Sequence, residues 1–424
     1  MKYNYNSKEP TKISVDDLSD KHKDLIFENK TFCILPWVHL HSFPTGEAYP
    51  CCNTEMPSKV GNTNTQSIEE IWHGDKMKEV RRRMLSGEKV DGCKRCYEQE
   101  DAGFFSMRLS SNKHLGHHIA LTDNPNPEVK LVYWDIRFSN LCNLRCRSCG
   151  HIFSSNWYDD QKALMSLDGH TMTDKRIQFA GRSEDDMWEQ LKDQIDNLEQ
   201  VYFAGGEPLI MEEHYRLLNE LIARGKTDVK LIYNTNFTEL KYKKSNVLEL
   251  WKEFKSVSVG ASLDAMGTRA EYIRKNCDWS QIERNREEML KICPKVDFYI
   301  SPTLSIMNVM HLPDFHKAWV NKGFLKPQDL NVNILQDPAY YRIDLLPVAL
   351  KEKIKDQYME HIEWLRPRDQ LNRATVGFES AIKFMMAEDK SKLLPIFWNR
   401  TNKLDKIRNE NILDSIPELG VLRE

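Results

Sequence analysis

The sequence holds little that would direct it to a membrane or to nucleic acid. No apolar run approaches the roughly 20 residues of a membrane-crossing helix. The opening residues Met1, Lys2, Tyr3, Asn4, Tyr5 and Asn6 are polar and lack the apolar stretch of a secretory leader, so a cytoplasmic protein is expected. Lys and Arg total 60 against 63 Asp and Glu, a net charge of −3, which leaves no basic excess for general nucleic-acid binding. There is no internal repeat, no low-complexity tract and no Gly-rich phosphate loop of the Walker type, hence no signature of a nucleotide substrate. What is present is cysteine, 10 in 424 residues, much of it in knuckle spacings. Without a leader, such spacing points to metal ligation in a reducing compartment rather than to disulfides. The length suits two or three domains.

Three of the cysteines stand in one short loop, Cys142, Cys146 and Cys149, after an apolar stretch from Val129 to Phe138. A C-x3-C-x2-C loop turns its thiolates toward one point, and three thiolates are one short of a closed four-ligand site. An iron–sulfur cubane held this way keeps one iron free to bind a ligand, the open-position logic of catalytic zinc sites. From the triplet alone, structural zinc with His151 as fourth ligand stays open.

Further motifs sit at predicted strand ends. Gln200–Phe203 runs into Gly205, Gly206, Glu207 and Pro208, and glycines there let backbone approach a ligand closely. Lys230–Asn236 ends in Asn234, Thr235 and Asn236, and Ser256–Asp264 ends in Ser262, Leu263 and Asp264, followed by Tyr272, Ile273 and Arg274. Asp297–Leu304 and Leu330–Leu335 supply a fifth and a sixth strand. Strands recurring roughly every thirty to forty residues, with helical patterns between, predict βα units and a parallel sheet. The helix before the second strand places Met187, Leu191, Ile195 and Leu198 on one face, and Ser183 with Asp186 resembles a capping box.

In this order the motifs resemble the radical S-adenosylmethionine (SAM) superfamily. The resemblance implies an α/β fold, a partial (β/α)6 barrel with its site at the carboxyl ends of the strands. It implies a 4Fe–4S cluster on Cys142, Cys146 and Cys149 whose fourth iron takes the amino and carboxylate groups of SAM. Gly205, Gly206 and Glu207 would line the methionyl amino group. Asn234 and Thr235, at the end of the third strand, would be cofactor-binding residues too. Ser262 and Arg274 would contact ribose or carboxylate, a role the guanidinium fork suits. One position departs from the family: Ser148, before the third cysteine, stands where an aromatic residue is common.

A second cysteine group precedes the barrel: Cys33, then Gly46, the adjacent Cys51 and Cys52, and the pair Cys93 and Cys96. A C-x2-C knuckle with a distant pair makes a four-thiolate site. The spacing, with Gly61-Asn62 and Ile71-Trp72, resembles the auxiliary-cluster segment of SPASM and twitch domains, which the family normally carries after the barrel. This implies a second 4Fe–4S cluster on Cys33, Cys51, Cys93 and Cys96, with zinc as the alternative; the glycine spacing favours Cys51 over Cys52. Cys277 and Cys293 read as plain buried residues. Arg81, Arg82 and Arg83 read as a solvated helix face, residues 151–182 as an insertion able to cover a substrate, and Trp134, Trp157, Tyr340 and Tyr341 as core. Helical patterns follow at 348–365 and 381–386, and Phe397, Trp398 and 416–419 would pack the tail back.

The expected organisation is a Cys-rich twitch-like domain at 1–128, a radical SAM partial barrel at 129–340 and a helical C-terminal extension at 341–424. The implied function is reductive cleavage of SAM to a 5′-deoxyadenosyl radical that takes hydrogen from a peptide or protein side chain, with a reducing electron donor as partner. The alternatives are a small-metabolite substrate and a zinc-stabilised binding module without radical chemistry.

Overall fold

A computed structural model describes residues 8–423, so the polar start read above at Met1–Asn6 lies outside the described residues. In chain order the strands are β1 (His39–Ser42), β2 (Glu47–Tyr49), β3 (Gly61–Asn62), β4 (Tyr133–Ile136), β5 (Arg145–Cys146), β6 (Gln200–Phe203), β7 (Lys230–Thr235), β8 (Lys241–Tyr242), β9 (Ser245–Asn246), β10 (Val257–Ala261), β11 (Arg274–Lys275), β12 (Asp297–Ile300), β13 (Thr303–Leu304) and β14 (Asn333–Ile334). The fold is α/β, and the six strands expected of a partial barrel of radical SAM type appear in order as β4, β6, β7, β10, β12 and β14. The chain divides into two compact units. One holds the described residues through Ser139 with Gln178–Gly205 and Leu221–Leu231; the other holds Asn140–Ile177, Gly206–Glu220 and the residues from Ile232 on.

In the first unit the strand order is β6-β4-β1-β2-β3. β1 lies parallel to β4 with His39 opposite Tyr133 and His41 opposite Asp135, β4 is parallel to β6, and β1, β2 and β3 form an antiparallel meander. The first strand of the Cys-rich segment is thus a parallel neighbour of the first barrel strand. All four residues of β1 are buried, as a strand covered on both faces requires. Phe32, Ile34, Trp37 and Val38, just before it, pack with Leu25, Ile26 and Val132 in one apolar cluster.

Two local expectations are corrected in this unit. Ser183 does not cap the following helix, whose N-cap is Asp185 with no side-chain bond; Asp186 instead binds Arg182 and Gln190. A complete capping box forms elsewhere, between Ser67 and Glu70 at the helix Ile68–Trp72. Arg81 is not a solvated charge. It is buried, donates to the carbonyls of Pro36 and Trp72, and stacks 4.4 Å over the Trp72 ring, while Arg82 stays outside with Glu79 and Glu88. A helix puts i and i+1 on different faces, so one of a basic run can turn inward where carbonyls await it.

In the second unit β7 neighbours β10, and β10 is parallel to β12 with Val259 opposite Phe298. Tyr233 and Thr235 are buried while Ile232 and Asn234 are less so, the alternation of a strand with one face under helices. The expected helices form at Val348–Leu365 and Arg373–Ala387, burying Ile354, Tyr358, Ile362, Phe378 and Met385. The tail packs back through Phe397, Leu404, Ile416 and Leu419, all nearly without exposure. Trp134, Trp157, Tyr341, Cys277 and Cys293 are buried as expected. Among the described residues no helix is long and apolar enough to cross a membrane.

Candidate functional site

The cysteine loop belongs to the second unit and is pinned by the residues that follow it. Ser154 donates to the Leu144 carbonyl at 2.6 Å, and the Trp157 indole donates to the Cys146 carbonyl at 2.7 Å. Cys142 N donates to the Ser155 hydroxyl at 3.3 Å. Cys149 N closes a tight turn onto the Cys146 carbonyl at 3.0 Å. The loop therefore holds its shape chiefly through bonds to its backbone, and its sulfurs make only long contacts, Cys149 to the Gly150 carbonyl at 3.7 Å among them. Burial pushes all three thiols up, Cys149 to about 12, and the neighbouring thiols push Cys142 and Cys149 further. Three half-buried thiols close enough to raise one another's pKa are a donor set that a cationic metal would stabilise outright. His151 does not face them as a ligand; its Nε2 lies 2.6 Å from Asp174.

Glu207 is tied to this loop, its N–H donating to the Leu141 carbonyl at 2.8 Å. Gly206 has φ +52°, and a Cβ there would lie 2.4 Å from that same carbonyl, so only glycine permits the approach. The Glu207 carboxyl accepts from the Thr235 hydroxyl at 2.6 Å, Asn236 N at 2.6 Å and Leu209 N at 3.1 Å. It bolts the motif to the end of β7 and retains about one of its four lone-pair sites. Asn236 in turn donates to Asn143 at 2.8 Å, with its Nδ2 4.0 Å from Cys142 Sγ.

Burial pushes the Glu207 carboxyl up to about 7 from an ordinary 4.5, against the pull of its three donors. Between those values the folded chain keeps a proton that the unfolded chain has released. Its contribution to stability is therefore full below about 4.5 and is lost as pH rises through 7. We expect the melting temperature of the wild type to fall across that window relative to Glu207→Gln; parallel profiles would contradict the assignment.

Arg274 is held by protein partners on two sides. β11 pairs antiparallel with β5, setting Arg274 opposite Cys146. The guanidinium donates from Nη2 to Asp264 Oδ1 at 3.0 Å, with Nε 2.8 Å from Oδ2, and its Nη1 lies 3.5 Å from Cys146 Sγ. Its fork is occupied by Asp264, and its remaining edge faces Cys146. Asp264 also accepts from Thr303 N at 2.8 Å. Ser262 sits beside Thr235, donating its N–H to the Thr235 carbonyl at 2.7 Å, and Asn234 lies within contact of the Gly260 backbone position. The second unit thus gathers Cys142, Cys146, Cys149, Gly206, Glu207, Asn234, Thr235, Ser262 and Arg274, while Gly205, at φ +80°, belongs to the first unit against Arg137.

A cavity of about 400 Å³ opens beside Cys149. Residues 151–182 line it through Trp157, Gln161, Leu164, Met165, Asp168 and His170; Arg147, Pro338, Tyr340, Tyr341, Arg400 and Leu404 complete the wall. Trp157, Tyr340 and Tyr341, expected as core, also face this cavity. Sequence reading gave no role to Asp264, although an acid two residues past Ser262 at a strand end marked the position.

The auxiliary cysteines gather in the first unit. Cys33 sits in the apolar cluster with Cys51 and Cys93 packed against it. Burial raises the Cys33 thiol most, followed by the fields of Cys51, Cys93 and Cys96. Cys52 turns elsewhere: after burial, the charge of Asp135 is the main influence on it. Asp135 is held near 2 by His41 and Arg137, which outweigh the larger opposing effect of burial. Cys51→Ser should therefore strip the auxiliary metal, whereas Cys52→Ser should retain it; metal analysis of the two variants checks this, and equal losses would contradict the division.

Among the described residues, the three-residue group whose ligand atoms lie within 4.8 Å of one another is His117, His118 and Glu199, so neither cysteine set is drawn that tight.

Residues 33–97 match the SPASM iron–sulfur cluster-binding domain, and residues 136–314 match the radical SAM superfamily. No curated protein matches in sequence. Among solved structures, native anSMEcpe with bound AdoMet is 20% identical with a TM-score of 0.35, covering 54% of this chain and 57% of that one. Streptococcus suis SuiB bound to S-adenosylmethionine is 15% identical with a TM-score of 0.36, covering 70% and 60%. This chain spans less than two thirds of the length of either protein.

Proposed function

The chain carries a radical SAM domain with an SPASM iron–sulfur domain ahead of it, and from that premise we propose that it is an enzyme using SAM at a 4Fe–4S cluster to take hydrogen from a substrate. The observation that carries this is the meeting, in one unit, of the three-thiol loop with the Gly206-Glu207 edge through Leu141. Cys142, Cys146 and Cys149 would hold the cluster, and Cys33, Cys51, Cys93 and Cys96 a second one that passes electrons. When bound, the cluster and SAM supply one-electron cleavage of the sulfonium bond; the protein supplies orientation and exclusion of water and oxygen.

The chain's own residues have distinct tasks in this reading. Gly205 and Gly206 let backbone approach the methionyl end, and Glu207 fixes that backbone through Thr235 and Asn236. Asn234 and Ser262 line the same strand ends. Arg274 orients Cys146 while Asp264 neutralises it. The working division is 1–128, 129–340 and 341–424, in a reducing cytoplasm, with a reducing partner protein as electron donor.

For the substrate we infer a peptide or protein side chain. The cavity beside Cys149 supports this. Its wall is partly apolar and aromatic, partly charged through Arg400, Asp168 and His170, and comes largely from the insertion. Such a wall suits one inserted side chain. The test is deuterium transfer into 5′-deoxyadenosine from labelled peptide pools and, separately, from labelled cell metabolites. Transfer from peptides supports the reading; transfer from a metabolite alone replaces it with the small-molecule reading.

A further inference from the structure

Cys146 is flanked by two arginines, and the C-terminal extension reaches both. Arg147 has no exposed side-chain surface. It donates from Nη2 to Asp405 and, at 2.7 Å, to Glu410, and its guanidinium lies 3.7 Å from the centre of the Tyr272 ring. Asp405 also accepts from the Tyr272 hydroxyl at 2.8 Å and from Ile412 N at 2.9 Å, so its position is set by the tail's own turn. Arg145 lies 2.9 Å from Asp160, whose other oxygen is taken by Arg408 of the helix Leu394–Arg408. Asp405, Arg408 and Glu410 thus hold, directly or through Asp160, both neighbours of one cluster cysteine.

A buried guanidinium stripped of its carboxylates must find water. Arg147 also lines the cavity beside Cys149, so its guanidinium would turn toward that space and draw on the loop between Cys146 and Cys149. We propose that the C-terminal segment 394–412 is a clamp on the cluster loop, with Asp405 and Glu410 as positioning residues that keep Cys146 and Cys149 at the spacing the cluster needs. The proposal rests on the reading of Cys142, Cys146 and Cys149 as cluster ligands. It gives the extension a role in cluster retention that its helical packing alone does not require.

The test uses full-length protein loaded without oxygen: wild type, Asp405→Asn, Glu410→Gln, Glu410→Asp and, as a control on an exposed pair, Glu363→Gln. The electron paramagnetic resonance signal that responds to added SAM is followed during incubation with an iron chelator, beside total iron and melting temperature. Asp405→Asn and Glu410→Gln should lose the SAM-responsive signal about tenfold faster than wild type, the scale expected for partners of metal ligands. Glu410→Asp, which keeps the charge, and Glu363→Gln should hold it. The SAM-unresponsive auxiliary signal should decay at the wild-type rate in all. Wild-type loss rates in both Asp405→Asn and Glu410→Gln overturn the clamp, as does parallel loss of both signals with the fold, since the tail would then support the whole unit. A wild type without any SAM-responsive signal refutes the ligand reading itself, and the clamp with it.

Discussion

Cys146→Ala is expected to lower iron from about eight to about four atoms per chain and to abolish 5′-deoxyadenosine formation, by the stoichiometry of two cubanes. Two remaining thiols do not hold a site that starts one ligand short. The fold should survive. Cys146 contributes to β5 through backbone pairing with Arg274, and its carbonyl still receives the Trp157 indole. The change removes only a sulfur, and the Arg274 Nη1 it faced is part of a residue otherwise satisfied by Asp264. Iron and sulfide analysis with a cleavage assay under strong reductant checks this. Retention of eight irons with intact cleavage would show that the three-cysteine loop is not the site.

Arg274→Met is the second large effect. Arg274 and Asp264 are an almost fully buried ion pair, and removing one partner strands the other's charge at a cost of about 3–5 kcal/mol. Arg274→Met with Asp264→Asn should recover much of that stability, because no buried charge is left alone. Function should not recover with it. Both variants lose the cation and N–H donor at Cys146, which favour the more negative, reduced state of a cluster bound there. The cluster potential should therefore fall in both, making reduction harder. Urea unfolding of the two variants against redox titration separates the effects. A potential unmoved by Arg274→Met, together with weakened SAM binding, would return Arg274 to the role its sequence motif suggests, a contact to the cofactor.

Much of the site is local in sequence, which is why it is legible there. Cys142, Cys146 and Cys149 lie in one turn, and Gly205, Gly206 and Glu207 in another. Their spacing follows from the reach of a short loop, whatever the rest of the chain does. The strands were found by their apolar runs, and the helix 348–365 by its periodicity. The capping box at Ser183 failed for a physical reason: Asp186 had a nearer partner in Arg182, and a local pattern cannot register competition for a side chain. Arg81 was misplaced likewise, since its turn inward depends on carbonyls at Pro36 and Trp72 that only packing brings within reach.

By itself the sequence determined the chemistry on offer: two thiol sets, one of them a ligand short, with glycine and acid at the strand ends behind it. These depend on residue type and short spacing, which chain connectivity enforces. Tertiary structure alone decided which partners those groups meet. It separated Cys51 from Cys52, one toward Cys33 and its fellows and the other toward Asp135. It turned Arg274 onto Asp264 and Cys146, and carried Asp405 and Glu410 from the far end of the chain to Arg147, between Cys146 and Cys149. Such pairings join residues up to 263 positions apart, and their geometry comes from the packing of the tail rather than from any pattern near the cysteines.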